Sequence, residues 1–145
     1  MGDKMEDINA LDEIHKGACM GQDALSFVLD KVEDNNFKKV LQKQFDDYDD
    51  IAKEIEEIYP KYDDGEPHDT SIMNKAMTSM GIDMKTMSDH SNSKIAELLI
   101  QGVNMGIIEG RKILNKKSMN EEVEKIVFKY VTMQEDNLDV LKKYL

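Results

Sequence analysis

The chain has 145 residues, 40% of them hydrophobic and 34% charged, with a formal charge of −11. That length supports one domain, 1–145, with room for a core. The acidity argues against nucleic acid, whose counterions nothing here would displace, and against an anionic membrane surface.

A single cysteine, Cys19, leaves no intrachain disulfide to form, and the opening Met-Gly-Asp-Lys-Met-Glu-Asp has no apolar run of the signal-peptide kind. A reducing cytoplasm is the expected location. Apolar residues at Ile8, Leu11, Ile14, Ala18, Leu25, Leu29 and Val32 recur at helical spacing and predict a first helix over about 4–33. Asp34-Asn35-Asn36 supplies a turn and an N-cap. Phe37, Leu41, Tyr48, Ile51, Ile55, Ile58 and Tyr62 predict a second helix that ends near Pro60 or Tyr62. The polar stretch 60–69 holds both prolines and a glycine and cannot continue it.

Met73, Met77, Met80, Met84 and Met87 then recur at steps of four and three, which places their sulfurs on one face of an additional helix. Asp89-His90-Ser91-Asn92-Ser93 breaks the pattern and offers caps. A third helix is expected over about 93–115, a turn at Asn115-Lys116-Lys117-Ser118, and a fourth helix over 119–144 through Val123, Val127, Tyr130, Leu138 and Leu141. The most apolar run, 95–108, contains Glu97, Gln101 and Asn104 and is too short and too polar to span a bilayer.

The two halves echo each other. Gly17-Ala-Cys-Met20-Gly21 resembles Gly102-Val-Asn-Met105-Gly106, while Phe37, Leu41, Gln44, Tyr48, Ile51 and Ile55 align with Val127, Val131, Gln134, Leu138, Leu141 and Leu145. Two helical hairpins joined by a long crossover are expected. This is an all-α, ferritin-like four-helix up-down bundle, with the additional Met-rich helix in the crossover between the second and third helices. Through Lys94-Ile-Ala-Glu-Leu-Leu-Ile-Gln-Gly102, Met105-Gly106-Ile107-Ile108 and Met20-Gly21, the chain resembles the ferritin-like superfamily. It is most similar to a family of small uncharacterised helical proteins from anaerobic Firmicutes. The resemblance implies the bundle and no particular activity.

A di-iron bundle carries Glu-x-x-His on two helices. Here the corresponding places hold Gln44-x-x-Asp47 and Gln134-x-x-Asn137, and none of the three histidines, His15, His68 and His90, lies in the second or fourth helix. Amides are weak, neutral ligands. No cofactor and no metal are therefore expected, the alternative being an unorthodox iron-type site of Asp47, Glu109 and His15. Gln22, Gln44, Tyr48, Gln134 and Asn137, with His15, are expected to gather as a polar layer in which Gln44, Gln134 and Asn137 face one another. Buried amides cost about 2–7 kcal/mol unless hydrogen-bonded. Such a layer either fixes helix register or forms a small polar ligand pocket.

The Met stripe reads as core filler, as a partner-binding or dimer surface, or as a thioether site for a soft metal. Gly102, Gly106 and Gly110 step by four along one face. Each costs about 0.8–1.0 kcal/mol against alanine, so close approach of a neighbouring backbone is expected, with Gly17 and Gly21 opposing; room for a ligand is the alternative. No Ser-His-Asp or Cys-His spacing marks an enzyme. The expected function is a non-enzymatic bundle serving as an interaction or small-ligand-binding module. Its partner would be an unknown protein or a second copy, a homodimer being favoured over a monomer.

Overall fold

Asp34 shows how local chemistry sets the helix boundaries. Its carboxylate accepts from the backbone N–H groups of Asn36 at 2.8 Å and Phe37 at 3.1 Å. It thereby caps a helix that would otherwise begin with unsatisfied donors. In a computed structural model, which describes residues 4–68, 81–116 and 118–145, four long helices follow such boundaries. They are α1 (Lys4–Leu29), α2 (Asn35–Ile58), α3 (Asn92–Lys116) and α4 (Glu121–Lys142). The described residues are all-helical or loop, with no strand among them.

The ends differ from expectation by a few residues. α1 stops at Leu29, because the N–H groups of Lys31 and Val32 both turn back onto the carbonyl of Val28. α2 gives way at Pro60 to a 3-10 turn, Tyr59–Lys61, since proline lacks the donor that would extend the ladder. Gly65 sits at φ 81°, a left-handed conformation that favours glycine. α3 is led in by Ser91, whose hydroxyl accepts from Lys94 N. α4 begins at Glu121, later than expected, because Asn120 is its cap and accepts from Glu122 N. Three glutamates in its first turn suit the positive end of the helix dipole.

Cross-helix partners fix the directions of the helices. His15 meets Glu56 and Gln22 meets Asp49, so α1 and α2 run oppositely. Phe37 stacks on Tyr144 with centroids 4.3 Å apart, Tyr48 meets Gln134, and Glu54 meets Lys129, so α2 and α4 also run oppositely. The amide of Asn92 donates to Asp34, placing the start of α3 beside the start of α2. α1 packs chiefly on α2 and α3 on α4. Leu11, Ile14, Leu25, Phe37, Leu41, Ile51, Ile55, Ile95 and Leu141 are fully buried. At about 1.5–3 kcal/mol each, they outweigh the exposed ion pairs, worth roughly 0–1 kcal/mol apiece.

Residues 81–86 are helical, and Met84 is buried. Met73, Met77 and Met80 lie outside the described residues. No helix among the described residues is long and apolar enough to cross a membrane.

Candidate functional site

One helical turn separates Gln44 from Tyr48 on α2, and another separates Tyr130 from Gln134 on α4. These four side chains meet in the bundle centre. Tyr48 Oη donates to Gln134 Oε1 at 2.6 Å, and Gln134 Nε2 donates to Tyr130 Oη at 3.0 Å. Gln44, Gln134 and Asn137 are all buried. Burial pushes both phenols well above the ordinary tyrosine range, so they act as neutral hydroxyls. The layer thus runs tyrosine to amide to tyrosine. Gln44 Nε2 and Asn137 Nδ2 are buried without a partner.

The glycines serve this layer in a way that corrects the expectation of backbone contact. A methyl at Gly106 would overlap Gln134 Nε2 and lie 2.8 Å from Tyr130 Oη, and one at Gly110 would overlap Val131. At Gly21 it would lie 2.6–2.9 Å from the ring of Tyr48. They make room for side chains of α4 and α2. Gly17 and Gly102 join Gln44, Tyr48 and Gln134 around a small cavity of about 30 Å³.

A much larger depression runs between α2 and α4, with a volume of about 940 Å³. Ile51, Ile58, Ile126, Met133 and Asn137 line it, and exposed Phe128 stands at its edge. Asp50 and Glu57 flank it from α2, Lys125 and Lys129 from α4.

A family model matches residues 6–116. The chain belongs to the domain-of-unknown-function family DUF2383. No curated protein and no solved structure matches it. The DUF2383 match takes in Gln44, Tyr48 and the glycines of α1 and α3, whereas Tyr130, Gln134 and Asn137 stand on α4, beyond the matched residues.

Other expected site residues of this DUF2383 chain do not join the layer. Gln22 donates to Asp49 at the partly exposed edge of the α1–α2 pair. His15 places Nε2 2.7 Å from Glu56 Oε2 and Nδ1 3.8 Å from Cys19 Sγ. Contact with Cys19, then with Glu56, outweighs desolvation and raises its pKa from 6.5 to about 9. The alternative metal set is not assembled. Asp47 pairs with Lys43 at 2.9 Å and Glu109 with Lys112 at 3.7 Å. Among the described residues no group of three or more His, Cys, Asp or Glu is placed to hold a metal ion. Met84 lines a cavity of about 240 Å³ with Met20, Ala24 and Phe27 of α1, and Met87 is half-buried. The burial of Met84 fits the core-filler reading at that position, and Met73, Met77 and Met80 lie outside the described residues.

A second polar cluster was absent from the sequence reading. Buried Asp12 accepts from Tyr59 Oη and from the backbone N–H of His68, both at 2.8 Å. Buried Asp7 accepts from Asn120 N at 2.7 Å. The signal was available for Asp7, which precedes Leu11, Ile14 and Ala18 at steps of four, three and four.

Proposed function

We propose that this DUF2383 chain is a cytoplasmic, non-enzymatic interaction module on a ferritin-like four-helix up-down bundle, and that its α2–α4 groove receives an amphipathic helix of a partner protein. The bundle reading is supported by two antiparallel hairpins, the long α2–α3 crossover and the shared direction implied by the Asn92–Asp34 contact. The binding reading rests on one observation above others. The groove is lined by Ile51, Ile58, Ile126 and Met133, and Phe128 on it is left 57% exposed. A large apolar side chain left exposed beside such a lining is what the apolar face of a partner would cover.

The apolar lining residues Ile51, Ile58, Ile126, Phe128 and Met133 are what the apolar stripe of a partner helix would cover. Of the lining charges, Asp47, Glu54 and Glu122 pair with Lys43, Lys129 and Lys61, and the remaining Asp50, Glu57 and Asp136 against Lys125 favour a partner helix whose apolar stripe is flanked by Lys or Arg. The iron-type alternative draws no support from Asp47, Glu109 and His15, each of which is engaged with a different neighbour.

The test is a titration, followed by NMR, with a synthetic amphipathic helical peptide carrying basic flanks. Shifts should concentrate at Ile51, Ile126, Met133 and Asn137 and disappear in a Phe128→Glu, Met133→Lys variant. A charge-reversed peptide should bind at least tenfold more weakly. Equal binding of both peptides, shifts elsewhere, or sedimentation showing that a second copy already fills the groove would overturn the proposal.

A further inference from the structure

The cavity at the bundle centre is walled on one side by glycine and on the other by hydrogen-bonding groups. Gly17 and Gly21 of α1 and Gly102 of α3 face Gln44, Tyr48, Tyr130 and Gln134. We propose that this cavity is a dedicated binding site for one water molecule, held as a hydrogen-bond acceptor by Gln44 and Tyr130. The inference is independent of the groove and of any partner helix.

Proton accounting identifies the occupant's chemistry. Tyr48 spends its only hydroxyl proton on Gln134 Oε1, and Gln134 uses one N–H on Tyr130 Oη. Tyr130 therefore accepts in that bond and keeps its own proton to give. Gln44 is 4% exposed and its amide nitrogen, with two protons, has no partner. Gln44 Nε2 is a buried donor with nothing to give to, so the molecule that completes the network must accept from it. The lone pairs of Tyr48 Oη can take a proton in return.

Size and polarity then choose water over other acceptors. One water requires about 10–15 Å³ of such space, and the cavity offers about 30 Å³. This suffices for one molecule and excludes carboxylates, amides and sugars. No cationic side chain lines the cavity, so a small anion would be buried without a counter-charge. A cavity of this size lined only by Leu and Val would remain dry; the unpartnered amide is what makes a wet one favourable. Leu25, Leu99 and Val103 complete the wall and provide methyl reporters.

The experiment pairs water detection with xenon. In the intact protein, NMR should show cross-peaks between the Gln44 side-chain amide protons and a long-lived water. Xenon pressure should leave the methyl signals of Leu25, Leu99 and Val103 in place. Gln44→Leu, and independently Tyr130→Phe should the first variant fold poorly, should convert the site to a xenon-binding one with shifts confined to those methyls. Absence of the water cross-peaks, or xenon shifts at those methyls in the unmodified protein, would overturn the inference. Failure of both folded variants to admit xenon would overturn it as well.

Discussion

Replacing Gly106 with alanine sets two calculable effects against each other. In an open helix the change should stabilise by about 0.8–1.0 kcal/mol through propensity alone. Here the added methyl would overlap Gln134 Nε2 and lie 2.8 Å from Tyr130 Oη. Gln134 is 2% exposed and held at both ends, its oxygen by Tyr48 and its nitrogen on Tyr130. Moving it breaks at least one bond and strands a buried polar group, at about 1–3 kcal/mol, with overpacking of about 1–3 kcal/mol wherever the backbone shifts instead. Set against the propensity gain, this leaves a net destabilisation of about 0–2 kcal/mol. For a chain of this size that lowers Tm by up to about 6 °C. Thermal melts followed by circular dichroism and calorimetry would measure it, within a double-mutant cycle. In a Gln134→Ala background the nearer obstacle is gone and only Tyr130 Oη remains, so Gly106→Ala should cost markedly less. A higher Tm for Gly106→Ala in the otherwise unchanged protein would refute the reasoning, since it would mean that the amide moves aside freely.

Two other perturbations test the second cluster and the α1–α2 pair. Tyr59→Phe removes one of the two donors to buried Asp12 and should destabilise by about 1–3 kcal/mol in urea unfolding; an unchanged midpoint would mean that the carboxylate draws its solvation from water. His15 has its pKa raised from 6.5 to about 9 by Cys19 and Glu56. A raised folded value means a stabilising contribution that is complete below the unfolded value and drains away as pH climbs through the folded one. Between about pH 6.5 and 9, the protein should therefore lose more Tm than a His15→Gln variant, and parallel profiles would contradict this.

The helices were legible because their apolar stripes are long and regular; Leu11, Ile14, Phe37, Ile51 and Ile95 all reach the core as the period requires. Their ends were less so, since a cap is an event of side chain on backbone. Asn120 and not the apolar Met119 starts α4, and α4 ends at Lys142, leaving Leu145, the formal counterpart of Ile55, 59% exposed. The burial of Gln44, Gln134 and Asn137 was legible, although Asn137 lines the α2–α4 groove and the two glutamines the central cavity. Their partners were not. Periodicity places a residue on a face, but it does not say that Gln22 will turn to Asp49 at the edge or that Tyr130 will take the Gln134 amide. Glycine spacing showed that something fills the α3 face; that the filler is the α4 side chains Gln134, Tyr130 and Val131 is a property of tertiary packing. Asp7 and Asp12 escaped because a search for apolar periods discards carboxylates that sit on them.

Much of this molecule is completed by α4. The hydroxyl of Tyr48 ends on Gln134, the ring of Phe37 on Tyr144, Tyr62 on Glu122, and Asp7 on the backbone of Asn120. All of these span more of the chain than the contacts that zip α1 onto α2. Without α4 these groups lose those partners, and the α1–α2 hairpin leaves part of its apolar face and its polar centre uncovered. Docking of α4 is then the step that shuts the core against water. Contacts of such long span carry a larger loop-closure cost than those within one hairpin. The tyrosine–glutamine bridge between α2 and α4 therefore ties the two helical pairs together at their buried centre.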